Sequence, residues 1–368
     1  MGGPLHRKDQ PKAGAEAGRS PGTGLMQEPR VSFGCQVCRA SRWSLVCSSG
    51  ELAEQRRLLE RFYRRRWLMQ SSATSEDRWL FTQNYLASLV ACLECGLLYR
   101  NPRPRPEAIM RAYQTERYDG ADLEAAFTAQ RHWFRPKAAA LLNYLPAGAT
   151  GTSRILEVGS FVGGFLAEGR ALGWDMLGLD PDRTVADFCR RQGLPIVQGT
   201  VEDAGLSPSS FDAITIWNAF GQLLDPQALL CSVAPLLRRR GVLVIRIPNG
   251  ACFEWAMTLR AKLSKRWRRP LDAALAWNNL LTFPYLYGYS PAGLASLVGS
   301  FGLTLRSCHP DTLPSVPAGH LKWWTGLEAH VVKGCWRAAR AVSRQPAGGD
   351  FHLAPWLDVY FERNETAG

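Results

Sequence analysis

The stretch S-R-I-L-E-V-G-S-F-V-G-G, residues Ser153 to Gly164, decides how the rest of the chain is read. Ile155, Leu156 and Val158 form a short apolar run of the kind found in strands buried on both faces, and the run ends in glycines where the backbone turns sharply. The pattern predicts the first strand and ligand loop of a doubly wound α/β domain. Phe165–Leu172 continues as a helix whose first N–H groups face whatever lies above the loop. A Cβ at Gly159 or Gly163 would occupy space that a ligand needs, so both are read as points of close approach.

Glycine loops of this type serve dinucleotides and S-adenosylmethionine (SAM) alike, and the surrounding residues discriminate between them. A second strand, Trp174–Leu179, ends at Asp180, placed to accept hydrogen bonds from ribose hydroxyls in either cofactor. Glu157, at the tip of the first strand, would repel a pyrophosphate but can accept from the ammonium of a methionine moiety. That carboxylate favours SAM.

The segments E-V-G-S-F-V-G, G-L-D-P-D, G-T-V-E-D, F-D-A-I-T-I-W-N and G-V-L-V-I-R-I-P-N, all within Arg154–Asn249, resemble the ordered motifs of class I SAM-dependent methyltransferases. The resemblance implies a Rossmann-like, doubly wound seven-stranded sheet whose last strand runs antiparallel. It also implies that Glu157, Gly159, Ser160, Phe161 and Gly163 line the methionine half of SAM, and Asp180 the ribose. Val201 and Glu202 would flank the adenine, and Trp217 and Asn218 would lie below the sulfonium. Two positions depart from the pattern. Phe161 replaces the usual middle glycine, and Gln222 stands where many relatives carry a histidine after the fourth strand.

The chain of 368 residues is long enough for such a domain, expected over 151–368, together with accessory modules. No apolar run reaches the roughly 20 residues that span a bilayer, and the N-terminus lacks a signal-peptide pattern, so a soluble, cytoplasmic protein is expected. The net charge of +12 suits nucleic acid, anionic lipid or a phosphorylated substrate without choosing among them. Ten cysteines, two pairs of them as C-x-x-C, argue for reduced thiols and a metal rather than a disulfide framework.

Residues 1–30 are rich in Gly, Pro, Ala and charge, and are read as a disordered leader. A zinc-binding module is expected over 31–104, with Cys35, Cys38, Cys92 and Cys95 as ligands. Four thiolates leave no open coordination position, so the zinc would be structural. An inserted basic helix, Glu51–Trp67, separates the two pairs, and Cys47 is an alternative ligand. The following C-G-L-L-Y-R-N-P-R-P-R-P-E-A-I-M-R-A-Y resembles the segment that joins a zinc-binding domain to the core in bacterial sugar and small-molecule methyltransferases. A helical connector over 105–150, carrying Tyr118, His132, Trp133 and Arg135, is expected to cover the cofactor cleft.

Residues 251–291 interrupt the α/β rhythm and are read as a substrate lid. Over 253–269, Trp255, Leu259, Leu263 and Trp267 oppose six basic side chains, the pattern of a basic amphipathic helix. Such a helix suits either a lid packed on the cleft or contact with an anionic membrane. Tyr285, Tyr287 and Tyr289 follow, then strands at Gly302–Ser307 and Pro355–Phe361, with a helix of unread purpose, Gly326–Arg344, between them.

The leading functional expectation is methyl transfer from SAM to a small-molecule acceptor: a nucleotide sugar, a polysaccharide precursor or a natural-product intermediate. Asn218, Gln222, Tyr287, Tyr289 and His309 are the catalytic candidates, although neither Asn218 nor Gln222 is an ordinary base. An RNA methyltransferase is a second reading, weakened because the fourth strand ends W-N-A-F in place of an N-P-P-Y or D-P-P-Y tetrapeptide. A non-catalytic SAM-binding protein is a third.

Overall fold

The computed structural model describes residues 28–66, 87–114, 120–146, 152–313, 322–342 and 353–364. In chain order the elements are β1 (Arg30–Val31), β2 (Trp43–Cys47), α1 (Ser49–Arg66), β3 (Ser88–Cys92), β4 (Leu98–Asn101), β5 (Arg103–Pro104), α2 (Pro106–Gln114) and α3 (Gly120–Leu141). Then come β6 (Arg154–Val158), α4 (Gly164–Ala171), β7 (Asp175–Asp180), α5 (Arg183–Arg191), β8 (Ile196–Gln198), β9 (Phe211–Ile216) and α6 (Pro226–Val233). The chain ends with β10 (Leu237–Pro248), α7 (Gly250–Lys262), α8 (Lys265–Trp277), β11 (Tyr287–Gly288), α9 (Pro291–Gly299), β12 (Leu303–Asp311), α10 (Trp323–Val342) and β13 (Trp356–Arg363). Of the expected leader, residues 1–27 lie outside the described residues. Arg30 does not belong to a leader: it pairs with Pro104 in the short β1–β5 ladder.

The seven-stranded sheet has the order β12–β13–β10–β9–β6–β7–β8. All its pairings are parallel except those of β13, which is antiparallel to both neighbours. This is the expected doubly wound topology. Strand order reverses between β6 and β9, which places the ligand crevice above the carboxyl end of β6. The period of two along each strand sorts the core into two layers. Ile155, Ala213, Val242 and Val244 pack with Phe134, Ala138 and Phe165 from α3 and α4. Leu156, Ile214, Leu243 and Ile245 pack on the other face with Leu229, Leu230, Leu294 and Leu297 from α6 and α9.

The second sheet has the order β11–β4–β3–β2. Three of its strands come from the cysteine-rich region and the fourth from the lid, through the pairs Tyr287↔Tyr99 and Gly288↔Leu98. The approach is close. A Cβ on Gly250 would stand 2.6 Å from the Gly288 carbonyl oxygen, so only glycine lets the start of α7 pass there. Arg100 locks the same joint from inside. Its buried guanidinium donates to the carbonyls of Thr282 (2.9 Å), Phe283 (2.7 Å) and Tyr285 (3.2 Å), spanning a turn in which Thr282 and Phe283 both have positive φ.

The lid differs from its sequence reading. The expected helix over 253–269 breaks at Leu263–Ser264, where Leu263 is extended and Ser264 begins α8. The buried side of α7 is Cys252, Phe253, Ala256, Met257 and Arg260, whereas Trp255 and Trp267 are exposed. Arg260 is buried in an ion pair with Asp272 at 2.8 Å, so a cation assigned to the polar face helps fix α7 to α8. Together α1, α7, α8 and α10 form a helical layer around Leu52, Leu59, Phe62, Phe253, Met257, Trp277 and Ala329. No helix among the described residues is long and apolar enough to cross a membrane.

Arg100→Ala would leave three buried carbonyls without their charged donor. A loss of roughly 3 kcal/mol in urea unfolding is expected; a loss below about 0.5 kcal/mol would mean that the turn holds itself.

Candidate active site

The glycine loop is built on backbone contacts to the neighbouring strand. The N–H groups of Gly159 and Ser160 both donate to the Leu179 carbonyl, at 2.9 and 3.0 Å, and Gly163 N–H donates back to Ser160 O at 2.9 Å. Gly159 and Gly163 have φ of 73° and 75°, the left-handed region that glycine enters without strain. Gly163 is crowded by the protein itself, since a Cβ there would lie 2.6 Å from Leu194 Cδ1. Phe161 also sits at positive φ, 46°, where an L side chain is disfavoured. Its N–H donates to Asp180 Oδ2 at 2.9 Å, an ion-assisted hydrogen bond that offsets the strain. Asp180 Oδ1 accepts from Asp182 N–H at 3.0 Å, so this carboxylate ties the loop to the start of α5. The Ser160 hydroxyl is buried and donates inward, to Glu157 O at 3.1 Å.

Glu157 is buried, and its Oε2 has no hydrogen-bond partner. Burial, with the Asp180 charge adding to it, pushes its carboxyl well above the ordinary range. Burial likewise raises Asp180 to about 6. Two more buried polar atoms lack partners in this part of the molecule: Gln130 Oε1, on α3 against Gly164, and Trp217 Nε1. Further round, Val201 is buried and the exposed Glu202 accepts from the Ser232 hydroxyl at 2.7 Å.

At the end of β9, Trp217 packs its ring against Phe134 and Phe165, with centroids 5.5 and 5.3 Å away. Asn218, at φ 60°, accepts through Oδ1 from Arg246 Nε at 2.8 Å. Arg246 is fully buried within a closed ring of ions. Its Nη1 contacts Asp311 at 2.6 Å and Asp358 at 2.7 Å, and both carboxylates also hold Lys137 Nζ. Burial works against the ionised Asp311, but the Arg246 and Lys137 charges outweigh it and bring its pKa down to about 2. Trp133 and Trp356 flank the guanidinium, with ring centroids 4.8 and 4.7 Å from Cζ.

None of Lys137, Arg246, Asp311 and Asp358 was singled out by sequence reasoning. A signal was present: in G-V-L-V-I-R-I-P, Arg246 shares the face of Val242 and Val244, and in P-W-L-D-V-Y-F the opposed Asp358 is just as misplaced for an apolar strand.

The other candidates are dispersed. Gln222 Nε2 donates to the Pro284 carbonyl at 3.1 Å. Tyr287 Oη accepts from Arg103 at 2.8 Å and donates to Leu224 O at 3.3 Å. Tyr285 Oη accepts from Asn279 at 3.0 Å. The buried Tyr289 hydroxyl has no partner. Tyr287 and Tyr289 belong to the core layer on the face of the sheet opposite Trp217. His309, exposed on β12, meets the Tyr144 hydroxyl at 2.5 Å. Of the connector residues, Trp133 reaches the ion ring, Arg135 pairs with Glu168 at 3.0 Å, His132 is exposed and Tyr118 lies outside the described residues.

The four cysteines of the paired motifs converge. The sulfurs of Cys35, Cys38, Cys92 and Cys95 all lie within 4.8 Å of one another, with Cys35–Cys95 and Cys38–Cys92 each at 3.5 Å. Val37 N–H points at the Cys35 sulfur at 3.4 Å, and Arg39 and Gly96 close the two turns at positive φ. Cys47 is not among them: it is buried apart, against the Gln55 amide at 3.3 Å. Arg39 and the Val37 carbonyl grip Gln227 at the start of α6, at 2.9 and 2.8 Å, so the cluster is docked on the core.

A doubly wound sheet with a carboxylate-flanked glycine loop at its switch point defines a nucleoside-cofactor α/β protein. Residues 129–307 match the family model described as a methyltransferase domain, and the chain carries a class I SAM-dependent methyltransferase domain. Among solved structures it is similar to a SAM-dependent methyltransferase from Archaeoglobus fulgidus (15% identity, 67% of this chain and 100% of that one, TM-score 0.42). It is also similar to a SAM-dependent methyltransferase from Thermotoga maritima (16%, 66% and 95%, TM-score 0.39). A third likeness is to a Haloferax volcanii methyltransferase solved in complex with the Trm112 activator (14%, 66% and 95%, TM-score 0.41). No curated protein matches the chain.

Asp358→Asn would leave fully buried Arg246 with half its counter-charge. Breaking such a pair costs about 3–5 kcal/mol, to be read from chemical denaturation. Asp311→Asn, whose carboxylate is 30% exposed, should cost less; the reverse ranking would overturn this view of the ring.

Proposed function

We propose that this SAM-dependent methyltransferase acts on a small-molecule acceptor brought to Asn218, with the cofactor held over the 159–163 loop. The residues present fit the cofactor. Glu157 Oε2 and Gln130 Oε1 are buried acceptors awaiting donors, which the ammonium of a methionine moiety supplies, and Trp217 Nε1 is a buried donor suited to its carboxylate. Asp180, which keeps spare lone pairs after its two backbone bonds, would accept from the ribose. Val201 and Glu202 would border the adenine. When bound, SAM supplies an electrophilic methyl group.

The chain's own contribution is positioning. Asn218 cannot take a proton at neutral pH, but its amide can orient an acceptor. Arg246 Nε fixes which way that amide faces, because it claims Oδ1 and leaves Nδ2 to donate. An acceptor that carries its own nucleophile needs little more.

The observation that carries the small-molecule reading is enclosure on both sides of Asn218. On one side stand Trp133 and Lys137 of α3, tied into the ion ring. On the other, the segment after β9 is covered by the lid, through Gln222 to Pro284 O and Leu286 N–H to Gly221 O at 3.0 Å. A folded macromolecule would have to displace this cover. Incubation with radiolabelled SAM and fractionated small metabolites should give a labelled product; labelling confined to an RNA or protein fraction would replace the reading.

We also propose that the cysteine cluster holds a structural Zn²⁺. Support comes from the chemistry of the donors: tetrahedral zinc with bonds of about 2.3 Å sets sulfurs about 3.8 Å apart, close to the spacing found. The four sulfurs would complete the coordination shell, and the metal would stiffen β3–β4 and through them the lid. Native protein should carry about one zinc per chain by elemental analysis, and Cys38→Ser, at the exposed corner, should lose it together with thermal stability. Full zinc content in that variant would dismiss the ligand set.

SAM binding should depend on pH with a stated sign. Because the protein alone holds Asp180 at about 6, acid leaves the carboxyl neutral and unable to accept with full strength. Affinity is expected to weaken by up to about tenfold per unit as pH falls below 6, read by calorimetry. Asp180→Asn should bind weakly at all pH values. The protein without cofactor shows the opposite trend, since a raised carboxyl pKa contributes stability at low pH that is lost as pH rises through about 6. A native binding profile independent of pH would remove Asp180 from the cofactor site.

A further inference from the structure

Helix α10 carries large apolar side chains on its outer face as well as its inner one. Inward, Ala329 is buried in the helical layer, and Thr325, Lys333 and Trp336 are buried along the same helix. Outward, Trp323 (88% exposed), Leu327 (66%) and Val331 (57%) recur every four residues and form one stripe along the helix. A helix at a water boundary is expected to be polar on its outer face, and a row of large apolar side chains there marks a contact surface.

The surroundings of the stripe are cationic. Lys322 N–H donates to Arg66 O at 3.0 Å, so the first turn of α10 abuts the last turn of α1. That end of α1 leaves Arg61, Arg64 and Arg65 in solvent. The one acidic side chain of α10, Glu328, is neutralised by a bidentate pair with Arg66, both bonds at 2.6 Å. Arg66 also stands 5.6 Å from the Trp324 ring. The same helical layer displays Trp255 and Trp267, beside exposed Lys262, Lys265, Arg266 and Arg269. Four of the five exposed tryptophans among the described residues therefore lie on this layer.

We infer that α10 and the adjoining end of α1 form a docking surface for an anionic lipid bilayer. The chemistry is that of a helix lying in the interface plane: tryptophan and aliphatic side chains enter the acyl boundary while arginines meet the headgroups. The choice of a bilayer rests on charge complementarity: exposed Arg61, Arg64 and Arg65 beside the apolar stripe match an anionic headgroup layer over an acyl interior. The surface centres on α10 rather than on 253–269, where the sequence alone suggested a membrane contact.

The test is co-sedimentation of the full chain with vesicles of phosphatidylcholine alone and of phosphatidylcholine mixed with phosphatidylglycerol, with tryptophan emission recorded alongside. The native protein should bind the mixed vesicles, shift its emission to shorter wavelength and ignore the neutral ones. Neutralising the three cations as Arg61→Gln, Arg64→Gln and Arg65→Gln should weaken binding on the order of a hundredfold. Trp323→Ser with Leu327→Ser and Val331→Ser, all solvent-facing changes, should abolish it with circular dichroism unchanged. Should that variant misfold, the cation variant decides alone. Native protein that ignores both vesicles, or variants that bind as well as native, would overturn the inference. So would lipid-free self-association of native protein that the serine variant lacks, because the stripe would then face a second copy.

Discussion

The pairing of β4 with β11 is the contact on which the rest of this architecture turns. Only two residue pairs are involved, yet they join the cysteine-rich region to a segment nearly two hundred residues later, and Arg100 reinforces them with three bonds to buried carbonyls. A neutral side chain at that position could not satisfy three acceptors, and an unpartnered carbonyl in a dry interior is costly. The lid over the segment after β9 is therefore held in place by hydrogen bonds that originate outside the methyltransferase core. The cysteine cluster and the 282–289 segment form one mechanical unit, with the cysteine turns pressed against α6 at one end and β11 paired with β4 at the other.

Buried charge is the second organising constraint. Two cations and two carboxylates form a neutral ring at the carboxyl end of β10 and the amino end of the antiparallel β13, and Arg246 uses its remaining Nε on Asn218. Such rings contribute little net stability compared with apolar packing, but they fix geometry, because each member loses heavily if it moves. The end of β9 gains an amide held to one orientation. At the glycine loop the logic is reversed: Glu157 and Asp180 are buried with too few donors, a condition that suits the cofactor position proposed above, where a ligand would bring the missing charge.

The sheet was legible in the sequence because its signals are local. Apolar runs of strand length, a glycine loop after the first of them and a carboxylate at the end of the next fix strand type and order with no knowledge of tertiary contacts. The cysteine spacing was equally local, and the sulfurs do converge. What escaped depends on pairs distant in sequence. Arg246 and Asp358 meet only through the β10–β13 register, and nothing near Tyr287 announces that it will sit opposite Tyr99. The lid helix was misread for a related reason: periodicity marked Trp255 and Trp267 as an inner face, but α7 turns Phe253, Ala256 and Met257 toward α1, and a wet tryptophan carries the same hydropathy as a dry one. The catalytic candidates reflect chemistry read without geometry, and Tyr287, Gln222 and His309 are each committed to other partners.

The composite small sheet also bears on synthesis. Strands β2, β3 and β4 leave the ribosome early, but the neighbour that covers β4 is not made until roughly 190 residues later, which at ordinary elongation rates is about 10–40 s. During that interval the nascent chain exposes an unpaired apolar edge, L-L-Y-R, together with four free thiols. A metal captured early at the proposed cysteine site would hold the half-built sheet in register until β11 arrives, and the cysteines would then serve synthesis as well as the finished fold.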